Sequence, residues 1–591
     1  MSAEQTSMNQ LITDNIDIWT STVKTKSASG RGSSKKRELY GVKKLRELIL
    51  ELAVRGKLVP QDPTDEPASV LLERIAEEKA QLVKDKKIKK QKLFGEVRDE
   101  EALFELPLGW QWTRLSELSE IGPRNSDVED ESEASFVPMP MISTSYKGDH
   151  GSEVRSWKDI KKGYTHFRDG DIALAKITPC FENSKAAVFS DLKNGVGTGT
   201  TELHVARPIL GALEPLFVLL YLKAPMFLKV GETQMTGSAG QKRVPKDFFA
   251  GNPLPYPPLK EQHRIVAKVD ELMTLCDQLE QQTEASIEAH QVLVETLLAT
   301  LTNSQDATEL MANWARISEH FETLFTTEQS IEQLKQTILQ LAVMGKLVPQ
   351  DPNDEPAAKL LERIEEEKAQ LVKEKKIKKQ KALPLITEDE KPFELPKGWE
   401  WERIGTFASV GTGATPSRSN PAYWEPTDFN WLSSGETSEL FVSETKEKVS
   451  SLAVAETNVT IYPRGTLIVA MYGQGKTRGQ ITELLQPAGT NQACAAIQLY
   501  EKHEAHREFV KLYFRKAYDE LRSEAAGGAQ PNLNVGKVAN TVIAVPPLVE
   551  QIRIVDKVQQ LLGLCDGLQI RIRNSQQTQL QLTDAIVDQA L

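Results

Sequence analysis

Residues 49–92 read ILELAVRGKLVPQDPTDEPASVLLERIAEEKAQLVKDKKIKKQK, and residues 338–381 read ILQLAVMGKLVPQDPNDEPAAKLLERIEEEKAQLVKEKKIKKQK. The two stretches are identical at 37 of 44 positions, at a constant offset of 289. Self-similarity at so long a period denotes a duplicated half-protein, not a solenoid of short repeats. The architecture therefore turns on which parts of each half were copied and which were not.

Working outward, the residues before each copy carry apolar side chains at helical spacing: Val42, Leu45, Ile49, Leu52, and Ile331, Leu334, Ile338, Leu341. Steps of 3, 4 and 3 place each set on one stripe of a helix. Gly56 and Gly345 follow where a helix end favours glycine, and Pro60 and Pro349 forbid continuation. A second helix is expected over 68–90 and again over 357–379. Each ends in a lysine tract that reads equally as a solvated helix end or as a phosphate contact. FELPLGWQWTRL (104–115) and FELPKGWEWERI (393–404) lead into segments that no longer match. Runs such as DIALAKI, AAVFS, ELHVARP, TLIVAMY and ACAAIQLY, punctuated by Gly, Pro and Asn, mark each segment as a mixed α/β module of about 150 residues.

Similarity returns at PPLKEQHRIVAKVDELMTLCDQLE (257–280) and PPLVEQIRIVDKVQQLLGLCDGLQ (546–569). Each opens a long helix with alternating 4- and 3-residue apolar steps. The seam predicted from this runs through Ile265, Val269, Leu272, Cys276 and Leu279 in the first helix, and Ile554, Val558, Leu561, Cys565 and Leu568 in the second. Continued at the same spacing, it passes through Thr283, Ser286, His290, Leu293 and Leu297, and through Ile572, Ser575, Gln579, Leu582 and Ile586. About four heptads predict an antiparallel coiled coil between the two helices.

The fold class is thus α+β: two mixed α/β domains separated by long conserved helices in a pseudo-twofold internal repeat. The divisions are a flexible N-terminal tail (1–35), a helical repeat (36–103), a first module (104–260) and a long central helix with its connection (261–327). A second helical repeat (328–392), a second module (393–550) and a C-terminal long helix (551–591) follow. Net charge of −11 argues against strong unaided binding to nucleic acid, although local clusters of Lys and Arg decide that question. The four cysteines are scattered without CxxC spacing, which fits a reducing cytoplasm and supplies no metal site. No apolar run of membrane length occurs, and no signal peptide is expected.

Stretches that imitate catalytic motifs fail on detail. Asn252-Pro253-Leu254-Pro255-Tyr256 resembles the N-P-P-[FY] loop of amino-methylating enzymes, but carries an extra leucine and has no glycine-rich cofactor loop. Gly475-Lys476-Thr477 lacks the glycine required at position 470, which is alanine. Gly411-Thr412-Gly413 is a two-glycine fragment, and His503 and His506 lack the HExxH order. No catalytic constellation is expected.

The paired AVRGKLVPQDP, FELPxGWxW and PPLxEQxRIVxKV motifs around two unlike modules resemble the specificity subunit of Type I restriction–modification enzymes, with greatest similarity to the type IB subfamily. Within the modules, GDIALAKITPCFENSKAAVF (170–189), GATPSRSNPAYWEP (413–426) and YGQGKTRGQ (472–480) are similar to segments of target-recognition domains. The resemblance implies a non-catalytic subunit whose two domains each read half of an asymmetric DNA sequence. The helices would set the spacer and dock two methyltransferase subunits. It further implies adenine N6 methylation with S-adenosylmethionine by those subunits, and ATP- and Mg-dependent translocation and cleavage by restriction subunits. Candidate DNA contacts in the first module are Lys176, Thr178, Asn183 and Lys185, with Ser238, Gln241, Lys242 and Arg243. In the second they are Ser417, Arg418, Gln474, Lys476, Thr477 and Arg478, with Gln530, Asn532 and Asn534. The alternative is a non-DNA coiled-coil scaffold that gathers two identical protein partners.

Overall fold

The copied helices are the frame on which everything else is hung. The structure, a computed structural model, describes residues 8–26, 36–209, 211, 213–377, 379–473, 477–521 and 533–591. Its frame consists of α1 (Met8–Asp14), α2 (Ile16–Ser21), α3 (Tyr40–Val54), α4 (Ala68–Lys84), the long α5 (Leu259–Asn303), α6 (Ala307–Glu319), α7 (Glu328–Val343), α8 (Ala357–Lys373) and the long α9 (Leu548–Ala590). The chain divides into two compact units. One holds the residues up to Lys26, then Lys36–Ala285 and Gln576–Leu591, and the other holds Ser286–Ser575. Each long helix therefore begins in one unit and ends in the other.

In the first unit Val42, Leu45, Leu48, Ile49 and Leu52 of α3 are buried, each worth about 1.5–3 kcal/mol relative to exposure. Arg46 of α3 pairs with Asp277 (2.8 Å) and Glu280 (2.6 Å) of α5. Tyr40, also on α3, donates to Asp584 of α9 (2.7 Å). In the second unit Lys335 of α7, at offset 289 from Arg46, reaches Asp566 (2.7 Å) and Gln569 (2.9 Å) of α9, and Gln333 reaches Glu295 of α5 (2.8 Å), the equivalent of Asp584. In each unit the shorter helix is thus bonded to both long helices. In the second unit Ile331, Leu334 and Ile338 share one core with Val294, Leu298, Leu301, Ile554 and Val558.

The long-helix stripe changes phase. Ile265, Val269, Leu272, Cys276, Leu279 and Thr283 are buried, but burial then moves to Val294, Leu298 and Leu301 while Leu293 is 49% exposed. In α9 the stripe likewise moves to Thr583, with Leu582 left 44% exposed. A straight helix drifts by about 20° per heptad from a 3.5-residue repeat, so an extra residue in the step restores the facing side. The shift falls beside the boundary between units, where each helix changes partners.

Two further expectations are corrected. The predicted tail is structured over the described residues 8–26: Trp19 is fully buried, Gly41 N–H donates to the Thr22 carbonyl (3.0 Å), and Thr22 and Thr583 share a buried hydrogen bond (3.1 Å). The second helices stop at Lys84 and Lys373, the first lysine of each tract, short of the expected ends at 90 and 379. Lys86 and Lys375 both take the left-handed conformation (φ 59°). Lys86 N–H then bonds to Val83 O and Lys87 N–H to Leu82 O, and the same bonds form in the second copy, closing each helix in a Schellman turn.

The leading motif is explained by packing. Gly56 (φ +68°) caps α3, and a Cβ there would lie 2.4 Å from Pro107 Cγ and 2.9 Å from Trp110 Cζ2. At Gly345 the distances to Pro396 and Trp399 are 2.5 and 2.9 Å. FELPxGW thus seats its proline and tryptophan on the glycine that ends the preceding helix.

Although their sequences diverge, the modules share a topology. In the first, β1 (Gln111–Arg114) pairs antiparallel with Pro253–Tyr256, the strand that leads into α5. One sheet contains β2 (Ser119–Ile121), β3 (Ile172–Ala175), β4 (Ala186–Val188) and β5 (Leu203–Pro208) in the order β2-β5-β3-β4, and a second four-stranded sheet is built on Glu133–Val137. In the second, Glu400–Arg403 pairs with Val542–Val545 in the same register, Glu400↔Val545 matching Gln111↔Tyr256 at offset 289. Ala408–Thr412, Cys494–Leu499, Leu467–Ala470 and Ile481–Leu484 reproduce the first sheet's order, and a three-stranded sheet on Phe429–Leu432 accompanies it. The NPLPY stretch is accordingly a buried strand, with Tyr256 fully enclosed.

Candidate nucleic-acid interface

In the first module two segments some sixty residues apart in sequence are tied together at one edge. β3 runs into 176–185, and 236–245 follows the helix Pro225–Gln234. Val244 N–H donates to Lys176 O (2.8 Å), Thr178 N–H to Lys242 O (3.0 Å), and Lys242 N–H to Thr178 Oγ1 (3.1 Å). Thr236 and Arg243 exchange backbone hydrogen bonds at 3.0 and 2.8 Å, which closes a hairpin. Gly237 and Gly240, at φ +126° and +77°, permit its turn. Its tip leaves Ser238, Gln241 and Lys242 exposed, and Asn183 is exposed on the adjoining loop.

Other candidates are engaged within the module. Arg243 makes a forked pair with Glu202, at 2.9 Å from Nε and 2.8 Å from Nη2, which holds the Glu202 carboxyl below its usual range. It anchors the hairpin. Lys185 Nζ donates to Met139 O (3.0 Å). Lys176 instead lines an open cleft of about 390 Å³ beside the hairpin, with Arg124, Tyr164, His166, His204 and Lys246. His204 Nε2 lies 2.9 Å from Val244 O and its ring stacks on Phe249 at 5.4 Å. Burial pushes its pKa down to about 4, so the ring is neutral near pH 7 and the cleft's positive charge comes from Arg124, Lys176 and Lys246. Sequence reasoning missed Arg124 and Lys246. Neither belongs to a motif; only the pairing of β5 between β2 and β3 gathers them with Lys176.

In the second module Ser417 Oγ lies 2.8 Å from Ser419 Oγ on an exposed loop. Arg418 is gripped by both oxygens of Glu447 and stacks on Trp424 at 3.9 Å, so its fork is occupied by the protein itself. Thr477 and Arg478 are half-buried in the turn between Leu467–Ala470 and Ile481–Leu484. Asn534 accepts from Lys537 N–H (2.8 Å) and caps the helix Val535–Asn540. Gln474, Lys476, Gln530 and Asn532 lie outside the described residues.

The motif imitations are structural where they are described. His503 caps the helix Glu504–Lys516, and buried His506 pairs with Gln551 (3.0 Å). Gly413 abuts the Thr490 carbonyl, whereas Gly475 and Lys476 are outside the described residues. Among the described residues no cluster of His, Cys, Asp or Glu could hold a metal ion, and no helix is long and apolar enough to cross a membrane.

The chain is similar to known proteins over nearly its whole length. The family model for the Type I restriction modification DNA specificity domain matches residues 107–289 and 396–575. The EcoAI specificity subunit of a Type I restriction enzyme from Escherichia coli is 52% identical, over 99% of this chain and 100% of that protein. The EcoEI specificity subunit, also from Escherichia coli, is 51% identical over the same shares. The crystal structure of the HsdS subunit from Thermoanaerobacter tengcongensis aligns over 83% of this chain and 98% of that one, at 20% identity and a TM-score of 0.43. Two matched domains, one per module, and full-length relatives at half identity establish that the chain belongs to the family of DNA specificity subunits of Type I restriction–modification systems.

Proposed function

We propose that each module reads one half of a bipartite, asymmetric duplex target, and that the copied helices fix the spacer and dock two methyltransferase subunits. In this reading the chain is non-catalytic and works in the cytoplasm. Adenine N6 methylation with S-adenosylmethionine belongs to the methyltransferase subunits, and ATP- and Mg-dependent restriction to further partners. The observation that carries the reading is the contrast between closely copied frames and unlike surfaces. Both modules keep the same order of four strands in their main sheet and the same register in the strand pair that opens and closes them, yet their exposed loops differ at most positions. Two copies of one docking surface suit two identical partners. Two different surfaces suit two different base sequences, which the major groove distinguishes by its donor and acceptor pattern.

In the first module the hairpin tip (Ser238, Gln241, Lys242) with Asn183 is the base-reading edge, and Arg124, Lys176 and Lys246 grip phosphate. Phosphate contacts position the protein and base contacts specify the sequence. The test is to exchange residues 104–260 for the module of another family member and map methylated adenines in host DNA. One half of the methylated sequence should change while the other stays. A change in both halves, or in neither, would exclude modular reading.

A further inference from the structure

Among the ionisable groups outside the cleft, Lys223 stands apart. It ends the helix Pro215–Lys223, is only 3% exposed, and donates from Nζ to the backbone carbonyl of Ser184 at 2.8 Å. Ser184 closes the loop whose exposed Asn183 adjoins the hairpin tip, and it holds the left-handed conformation (φ 54°) that a serine rarely adopts. Its neighbours are already fixed: Asn183 N–H to Pro179 O (3.0 Å), Ser184 N–H to Phe181 O (2.8 Å) and Lys185 N–H to Cys180 O (3.0 Å). The loop thus turns on local hydrogen bonds, while the ammonium beneath ties it to the module core.

Few charges face that ammonium. The strands packed on its helix, Ile172–Ala175 and Ala186–Val188, carry no ionisable side chain. From α3 comes Glu51, committed to Met226 N–H (2.5 Å) and to Arg55 (3.2 Å). The helix Pro225–Gln234 offers Lys229 and Glu232, both exposed to solvent. The segment around Gly148, which lies against Leu219 of the helix, contributes His150 and Asp149, and the carboxylate of Asp149 favours the protonated amine. Burial dominates and brings the Lys223 pKa down to about 7, so the group changes charge across the physiological range.

The second module is built differently at this point. Tyr221 donates to Pro253 O and Tyr513 to Val542 O, each at 2.6 Å, and these two acceptors are equivalent at offset 289. Two residues after each tyrosine stand Lys223 and Arg515. A guanidinium keeps its proton throughout this range.

We propose that Lys223 is a positioning residue for target reading by the first module: its protonated ammonium holds the 179–185 loop in reading shape, and deprotonation loosens it, so selectivity at the first half-site alone falls as the medium becomes more alkaline. The proposal rests on the bipartite reading given above. The physical reason is that a charge-assisted hydrogen bond is roughly twice as strong as a neutral one.

The experiment uses the full chain assembled with its methyltransferase subunits and a duplex carrying the methylated site mapped from host DNA. Two further duplexes each have one half-site altered. Binding is compared from pH 6 to pH 8.5. Wild type is expected to lose at least about threefold in discrimination at the first half-site and nothing at the second. Lys223→Arg should hold discrimination high and independent of pH, and Lys223→Met should leave it low and independent of pH, with thermal melting confirming that both variants fold. Flat discrimination in wild type, equal losses at both half-sites, or a wild-type pH profile in Lys223→Met would overturn the proposal. Absence of any sequence selectivity in wild type at every pH would overturn the bipartite reading itself, and the proposal with it.

Discussion

Arg264 Nη2 lies 2.6 Å from Asp65 Oδ2, and at offset 289 Arg553 repeats the contact with Asp354 at 2.5 Å. In each unit the pair ties the first turns of a long helix to the PQDP segment before the second helix of the copied repeat. Both aspartates are nearly buried, and the pairing holds each arginine above its usual pKa. Asp65→Ala and Asp354→Ala should each cost about 1 kcal/mol, because the arginine that loses its charged hydrogen-bond partner is itself about a third exposed, at 35% and 33%, and is partly screened by water. The pairs sit in separate units, so denaturant unfolding of the double variant should show additive losses. A strongly non-additive result would mean that the two copies are energetically coupled.

Gly56 and Gly345 combine a left-handed backbone with a tryptophan packed against the missing side chain. Alanine at either position should cost more than about 2 kcal/mol, from backbone strain and overlap with Pro107 and Trp110 or with Pro396 and Trp399. Calorimetry should show a lowered melting transition for each. An unchanged transition would exclude this packing as the reason for the leading motif.

His204 is neutral in the folded protein because burial lowers its pKa to about 4. The unfolded chain binds a proton there near pH 6.5, so its stabilising share is complete above that value and declines as pH falls toward 4. Between pH 6.5 and 4 the loss should be of order 2 kcal/mol. His204→Gln should remove that part of the acid sensitivity, measured as the difference between denaturation midpoints at pH 7 and pH 5.

Phosphate contact and base reading have different signatures. Arg124→Gln, Lys176→Gln and Lys246→Gln should each weaken binding to all duplexes alike and lower the slope of log affinity against log salt by about 1. Gln241→Ala should alter sequence preference at the first half-site with little effect on that slope. A variant of Lys246 that changed base preference at constant slope would place it on the reading edge instead.

Helix length offers a separate test. Matching four-residue insertions after Ser286 in α5 and after Ser575 in α9 add about 6 Å to each helix while keeping close to one full turn. The expected outcome is a longer accepted spacer between unchanged half-sites, read from mapped methylation. An unchanged spacer would show that the long helices do not set it.

The copied stretch announced its own architecture because helix stripes, terminal glycines and prolines act locally, and copying them preserves the signal. The two long helices were legible for the same reason. Their phase shift was not: Ser286 and Ser575 fall on the extrapolated stripe, and nothing nearby in sequence says that each helix changes partners there. Residues 8–21 read as a tail because Trp19 and Thr22 find their neighbours in Gly41 and in Thr583, the latter more than five hundred residues away.

The proposed reading surface divides along the same line. Loop composition pointed to the 176–185 and 236–243 segments, and the structure ties them together through Thr178 and Lys242. Which cations remain available depended on internal partners. Arg243 is claimed by Glu202 and Arg418 by Glu447, whereas Lys176 faces a cleft with Arg124 and Lys246, whose own internal contacts are long ones to backbone carbonyls, at 3.4 Å to Tyr164 and 3.5 Å to Ile121. By itself the sequence determined the duplicated frame, the two unlike modules and the family, since these follow from short-range patterns and direct identity. Only the tertiary structure decided which side chains share a surface and which are spent on one another. Charges pair across space, and their separation along the chain carries no trace of it.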